Sequence, residues 1–341
     1  LVAVGLLFFN LFNRKTEDND NYKDLIQMAK LMSKKTREIV QTTTVLVLVV
    51  LIIIFYAVYP LITVQDMVSR PDREAFDDPK YSRQNDPTLF LDAGLNPDTL
   101  TFLTNDNIRL AAVYFRPDST NFDSAKGIVI LLHPDDTDRT AIISYISPLL
   151  DSGLAVLAYD QRACGLSGGK HHFAGDYEAD DLVDLIAYLN IHEMLVSPVI
   201  AVGFDLGGDA VIGAGSDEDR IRAAIAVDPY LSSSRWIEKQ KEKNEVLSIP
   251  LYNMVYYWWF QKLTGYPYDR TSADDLVPIT SPTTIFMSDN AIEIDEIMKL
   301  KEISRPEILT ISIKPRDLNK AQNKILLEIY SFINRPEDKV E

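Results

Sequence analysis

Val199-Ile-Ala-Val-Gly203-Phe204-Asp205-Leu206-Gly207-Gly208 reads as a buried strand that runs into a turn and straight on into a helix. Val199 to Val202 are apolar without alternation, as a strand covered on both faces requires. Gly203 and Gly207 flank the turn, where a backbone without Cβ lets strand and helix approach closely and leaves the residue between them raised in a strained conformation. That residue is Asp205.

Working outward, similar apolar runs occur at Gly127–His133, Leu154–Asp160, Ile221–Asp228, Thr283–Met287 and Ile308–Ile313. Helical patterns separate them at about 140–151, 176–190 and 319–334. Leu100–Thr104 and Ile108–Phe115 read as paired strands across the turn-forming Asn105-Asp106-Asn107. Strands alternating with helices at this spacing predict an α/β domain built on a mostly parallel sheet covered on both faces.

Two stretches then carry a family resemblance. Gly203-Phe204-Asp205-Leu206-Gly207 has the frame of a Gly-x-Ser-x-Gly nucleophile elbow, with aspartate at the serine position. Asp160-Gln-Arg-Ala-Cys-Gly165-Leu-Ser167-Gly168 follows the loop pattern Asp-x-Arg-Gly-x-Gly-x-Ser-x-Gly, with Ala163 where glycine is usual. Over residues 98–334 the chain resembles the α/β-hydrolase superfamily, nearest to its serine aminopeptidase and acyl-hydrolase-like branches. The resemblance implies the α/β-hydrolase fold, a cap inserted at about 231–276, and a structural, loop-fixing role for Asp160 and Arg162.

It also implies where a triad would lie. The nucleophile belongs on the elbow, an acid after a later strand and a histidine after the last strand. In this chain those positions give Asp205, framed by Gly203, Leu206 and Gly207, and then Asp289 or Asp228 as the acid. The histidine is missing. The four histidines, His133, His171, His172 and His192, all precede the elbow, and the loop that would carry one reads Ile313-Lys-Pro-Arg-Asp-Leu318. Arg316 cannot serve as a base near neutral pH. The oxyanion loop, His133-Pro134-Asp135-Asp136, is degenerate too: Pro134 has no N–H to donate, and two carboxylates have the wrong sign for a developing oxyanion. The expectation is a vestigial site with no catalytic residue and no cofactor.

Two other readings stay open. Haloalkane dehalogenases and epoxide hydrolases of the same superfamily use an elbow aspartate, so Asp205 could be the nucleophile of an active hydrolase on ester, peptide or epoxide substrates. His171 or His172 would then have to supply the base. Alternatively, a small apolar ligand binds under the cap. Asp135, Asp136, Asp205 and Asp209 could ligate a hard cation, but they fit solvated or helix-capping carboxylates better, and no metal is expected.

The cap region holds Tyr252, Tyr256, Tyr257, Trp258, Trp259, Phe260, Tyr266 and Tyr268. A helix turns ~100° per residue, so the five consecutive rings from Tyr256 to Phe260 cannot all face one core. Some of them are expected to contact a partner, a membrane surface or an apolar ligand.

The remaining features concern placement. Thr44–Ile62 reads TVLVLVVLIIIFYAVYPLI without a charge, and about 20 residues at 1.5 Å each match a hydrocarbon core of ~30 Å. A transmembrane helix is expected over 44–64, with Phe55, Tyr56 and Tyr59 near its far end as interfacial aromatics. Net charge is −16, but residues 1–43 carry +2 and the remainder −18, and an acidic body argues against a nucleic-acid partner. The basic cluster from Lys30 to Arg37 points to a cytoplasmic side before the span, which puts the large domain on the exoplasmic side, the periplasm in a bacterium.

Within 1–43, LVAVGLLFFNLF is too short to span alone and reads as part of a first span, an interfacial anchor or a signal-sequence remnant. Leu25, Met28, Met32 and Ile39 suggest an amphipathic helix behind it. Pro71, Pro79, Pro87 and Pro97 mark a linker over 65–97, and 335–341 is a tail. The single Cys164 excludes an internal disulfide. Together these readings predict a membrane-anchored, inactive hydrolase-like protein acting as an accessory or binding subunit among other membrane proteins.

Overall fold

A computed structural model describes residues 34–68, 88–117, 125–135, 137–172, 175–243, 249–269, 281–287, 309–313 and 317–335. The apolar segment 1–12, the expected helix before Lys34, Asp136, Asp289 and Arg316 lie outside the described residues. Two units divide between Pro60 and Leu61.

The uncharged run forms helix throughout. It comprises α1 (Lys34–Ile53), a π turn (Ile54–Val58) and α2 (Tyr59–Val68). Pro60 has no N–H and crowds the preceding turn, and the π turn just before it is how a helix absorbs such a residue without ending. The stretch Thr36–Val68 is one helix long and apolar enough to cross a membrane. Val45 to Ile54 are all exposed, unlike the side chains of a helix in a soluble core. Helix continues past residue 64 to Val68, into the stretch expected as linker, because Val64 and Val68 are buried. A short helix, α3 (Thr88–Asp92), also falls within that stretch and buries Phe90.

The sheet begins with an antiparallel hairpin, β1 (Asp98–Leu103) and β2 (Arg109–Phe115). Asn107 takes a positive φ in its turn, a conformation that asparagine tolerates. Then follow β3 (Ile128–Leu132), a 3₁₀ turn (Arg139–Ile142), α4 (Ile143–Asp151), β4 (Ala155–Tyr159), α5 (Asp176–Ile191) and β5 (Val199–Phe204). The chain continues through α6 (Leu206–Asp217), β6 (Ile221–Val227), the cap helices α7 (Ser233–Lys243) and α8 (Pro250–Thr264), β7 (Thr283–Met287), β8 (Leu309–Ile313) and α9 (Leu318–Ile333).

The strand order is β1-β2-β4-β3-β5-β6-β7-β8, antiparallel at the first two junctions and parallel at the rest. Both faces are covered, which is why the central strands are apolar at every position. Ile128, Ile130 and Leu132 pack with Leu182, Ile186, Leu189 and Val211 of α5 and α6. Val129 and Leu131 pack on the other face with Ile146 and Leu149 of α4 and with Ile325 and Ile329 of α9. This is the α/β-hydrolase architecture expected from the sequence, and it brings the ends of β3, β5, β6 and β7 to one edge.

Candidate functional site

The elbow is built as its glycines require. A Cβ on Gly203 would lie 1.8 Å from the carbonyl oxygen of Gly207, and one on Gly207 would lie 2.8 Å from the Cβ of Leu132. Neither position admits a side chain. The residue at the apex, Asp205, is held at φ 49° and ψ −117°, a strained conformation for any residue with a Cβ. Its N–H donates to Val227 O (2.9 Å), and its carbonyl accepts from Gly208 N (2.9 Å), so strand, turn and helix are stitched together. Asp205 is half-buried.

Phe204 and Val227 are paired in register, so Asp205 and Asp228 stand one residue past the ends of neighbouring strands. Asp228 also has a positive φ (50°), and its N–H donates to Phe286 O at 2.7 Å. The edge thus presents an elbow carboxylate and a second carboxylate from the next strand. Of the two candidates for the family's acid, Asp228 is the one among the described residues.

The loop after β3 presses on the elbow from the other side, since a Cβ on Gly207 would be 3.0 Å from His133 O. His133 is fully buried. Its Nε2 accepts from Gln161 N (3.0 Å), and its Nδ1–H donates to Pro134 O (2.8 Å). An Nε2 that accepts from a backbone N–H fixes the neutral Nδ1–H tautomer and leaves no lone pair for proton transfer. Gln161 also donates from its side chain to His133 O at 2.7 Å, so this histidine is a rivet between the β3 and β4 loops.

Asp135 has a different role from the one its position suggests. Its Oδ1 accepts from His172 Nε2–H (2.8 Å), and its Oδ2 accepts from Trp236 Nε1 (3.0 Å) and Gln240 Nε2 (2.5 Å). Asp135, His172, Trp236 and Gln240 are all buried. One carboxylate therefore ties the β3 loop, the loop carrying His172 and the cap helix α7 together. Asp209 does similar work on α6: its two oxygens accept from Tyr230 N (2.9 Å) and Leu231 N (2.7 Å), which fixes the chain as it leaves β6 for the cap. These donors account for Asp135 and Asp209, and no group of three or more His, Cys, Asp and Glu among the described residues is arranged to hold a metal ion.

Of the other histidines, His171 is exposed and its Nδ1 lies 3.1 Å from Val68 O, while His192 rests at the end of α5 with its ring 4.2 Å from that of Tyr188.

The Asp160–Gly168 loop is structural, as the resemblance implied. Asp160 accepts from Arg139 N (2.9 Å) and Leu166 N (2.7 Å) and pairs with the Arg139 guanidinium. Arg162 makes a two-pronged pair with Asp181 (2.8 and 2.6 Å) and lies over the Tyr177 ring. Burial outweighs these partners and pushes the carboxyls of Asp160 and Asp181 each up to about 6.

In the cap, Tyr256 and Phe260 belong to the core, with Tyr252 one turn before them on the same face. Tyr257 and Trp259 are half-buried and Trp258 is exposed. Behind Tyr256 and Tyr257 sits the buried Lys241, whose Nζ donates to Glu238 Oε1 and Asn253 Oδ1 at 2.9 Å each and fixes α7 on α8.

Residues 129–301 match the model of the alpha/beta hydrolase family. The chain belongs to that family. Among solved structures, an esterase from Pyrococcus furiosus is 21% identical and superposes with a TM-score of 0.53, over 71% of this chain and 90% of the esterase. An alpha/beta hydrolase from Penicillium sp. sh18 is 16% identical (TM-score 0.51; 70% of this chain, 98% of that one). A 2,6-dihydroxy-pseudo-oxynicotine hydrolase is also 16% identical (TM-score 0.52; 70% and 67%). No curated protein sequence matches the chain. At such identities the likeness to solved structures establishes the alpha/beta hydrolase fold, and the chemistry has to be argued from the residues.

Sequence reasoning placed Asp205 on the elbow, where the structure has it, and named Asp228 beside Asp289 as a candidate for the acid. It missed Asp135 as a hub, because its partners Trp236 and Gln240 are about 100 residues away and no local spacing announces them.

Proposed function

We propose that this member of the alpha/beta hydrolase family is a membrane-anchored, catalytically inactive protein that serves as a binding or assembly subunit of a membrane complex. The observation that carries the reading is an intact elbow holding Asp205 in a chain with no histidine after His192. Two of the four histidines, His133 and His172, spend a ring nitrogen on holding loops together. The span over 44–64 and the basic cluster before it support a large domain on the exoplasmic side.

The test uses the purified full chain and its Asp205→Ala variant on ester, peptide and epoxide substrates. Equal background turnover by both is expected. Turnover that disappears with the substitution would overturn the inactive reading. Gentle-detergent capture of the intact chain, with mass spectrometry of stoichiometric companions, tests the assembly role; a chain that emerges alone counts against it.

A second reading is favoured by the strain kept at Asp205, which costs on the order of 1–3 kcal/mol and is retained although no serine is present. In it, an Asp205 oxygen attacks an epoxide carbon, the ring C–O bond breaks, and the new alkoxide takes a proton from water. With no histidine to activate water, the ester would persist, and intact-mass analysis would find a covalent adduct absent from Asp205→Ala.

A further inference from the structure

Helix α8 has a second apolar face in addition to the one it buries. Tyr252, Tyr256 and Phe260 point inward, whereas Leu251 (51% exposed), Met254 (62%) and Trp258 (51%) form a stripe on the other side, with Ile249 at the helix entrance exposed as well. Trp259 packs edge-on against Trp258 (4.6 Å), and the exposed Lys262 follows Trp258 one turn later.

The neighbour of α8 suggests what covers this face. Tyr252 Oη lies 3.2 Å from Thr63 Oγ1, and Tyr256 Oη donates to Met67 Sδ at 3.1 Å. A four-residue step on both helices means that α8 runs alongside α2 in the same direction. Thr63 directly follows the apolar run that ends at Ile62, and the first charge after that run is the exposed Asp66. The entrance of α8 is therefore level with the residues at which the apolar run gives way to polar chain. Each polar zone of a bilayer is roughly 5–7 Å deep, about the rise of one helical turn.

We propose that the first turns of α8 lie in the membrane interface, with Ile249, Leu251 and Met254 reaching toward the acyl chains and Trp258 and Trp259 at the outer edge of the headgroup zone. The residue order matches the order of environments: aliphatic nearest the hydrocarbon, then indole. The occupant is the lipid surface around the chain's own span. The proposal rests on reading residues 44–64 as that span.

The experiment uses the full chain in liposomes. Cys164 is buried, so Met254→Cys introduces one accessible thiol for an environment-sensitive fluorophore. Flotation is measured first: a chain that does not float with the vesicles overturns the anchoring reading. For a chain that floats, the label is expected to be quenched by lipids carrying a spin label near the carbonyl and protected from aqueous iodide. A floating chain quenched by iodide but not by lipid overturns this proposal alone, and so does one quenched by neither, which would indicate a second copy over the face. Native Trp fluorescence gives a check without Met254→Cys. Of the three tryptophans Trp236 is fully buried, so lipid quenching should be present in the unsubstituted chain and lost in W258F/W259F.

Discussion

Asp135 concentrates three buried interactions in one side chain, and its removal should be felt at all three. In Asp135→Ala the donors on His172, Trp236 and Gln240 each lose their acceptor. A buried donor left unsatisfied costs about 1–3 kcal/mol, and partial relaxation should bring the total to roughly 3–5 kcal/mol. Urea unfolding of the detergent-solubilised chain, followed by tryptophan emission, should show this loss, with Asp135→Asn less damaged because one acceptor oxygen remains. An effect below about 1 kcal/mol would mean that the hub is not a structural centre.

At the scale of elements, the elbow and the cap helix give opposite kinds of prediction. Gly203→Ala puts a methyl against the Gly207 carbonyl, where no rotamer can move it, so β5 and α6 must separate. The expected cost exceeds about 4 kcal/mol, enough to abolish soluble expression of the folded domain. On α8 the two faces differ: Tyr256→Ala should cost about 3–5 kcal/mol, as large buried aromatics do. Trp258→Ala should change detergent-state stability by less than about 1 kcal/mol. Thermal unfolding of the two variants side by side checks the assignment of faces.

The same elements show what the sequence could reveal. β5 and its turn were legible because continuous apolarity and two glycines are local signals. That no histidine follows His192 is a fact of composition and is read from the sequence directly. Which ring of Tyr256–Phe260 faces inward was not, since that depends on the neighbours that reach the helix, Trp236 from α7 and Thr63 and Met67 from α2. The continuation of helix to Val68 was hidden for the same reason, because Gln65 and Asp66 look like linker until Val64 and Val68 find a surface to bury against.

For the molecule as a whole, a pH dependence follows from two of its buried carboxylates, Asp160 and Asp181. Between about pH 4 and pH 6 the folded chain keeps protons on Asp160 and Asp181 that the unfolded chain has released. Folded stability therefore falls as pH rises through that window, by up to about 3 kcal/mol for each group, and levels off above it. Denaturation midpoints from pH 4 to pH 7 should show this slope, and Asp160→Asn, which keeps a neutral group at this position at every pH, should remove about half of it. A flat profile for the unsubstituted chain would mean that both aspartates stay ionised.

The last turns of α2 are part of the packing of the second unit. Val64 and Val68 are buried, Thr63 and Met67 are bonded to cap tyrosines, and the Val68 carbonyl meets His171. Displacing these turns would thus be felt at the cap and at the loop after β4 together. Load would pass through Tyr252 and Tyr256 into α8, then from the Phe260 ring to Trp236 and from there to Asp135 beside the elbow. The cap is mechanically coupled to the last turns of α2, and the strand ends lie next along that line of force.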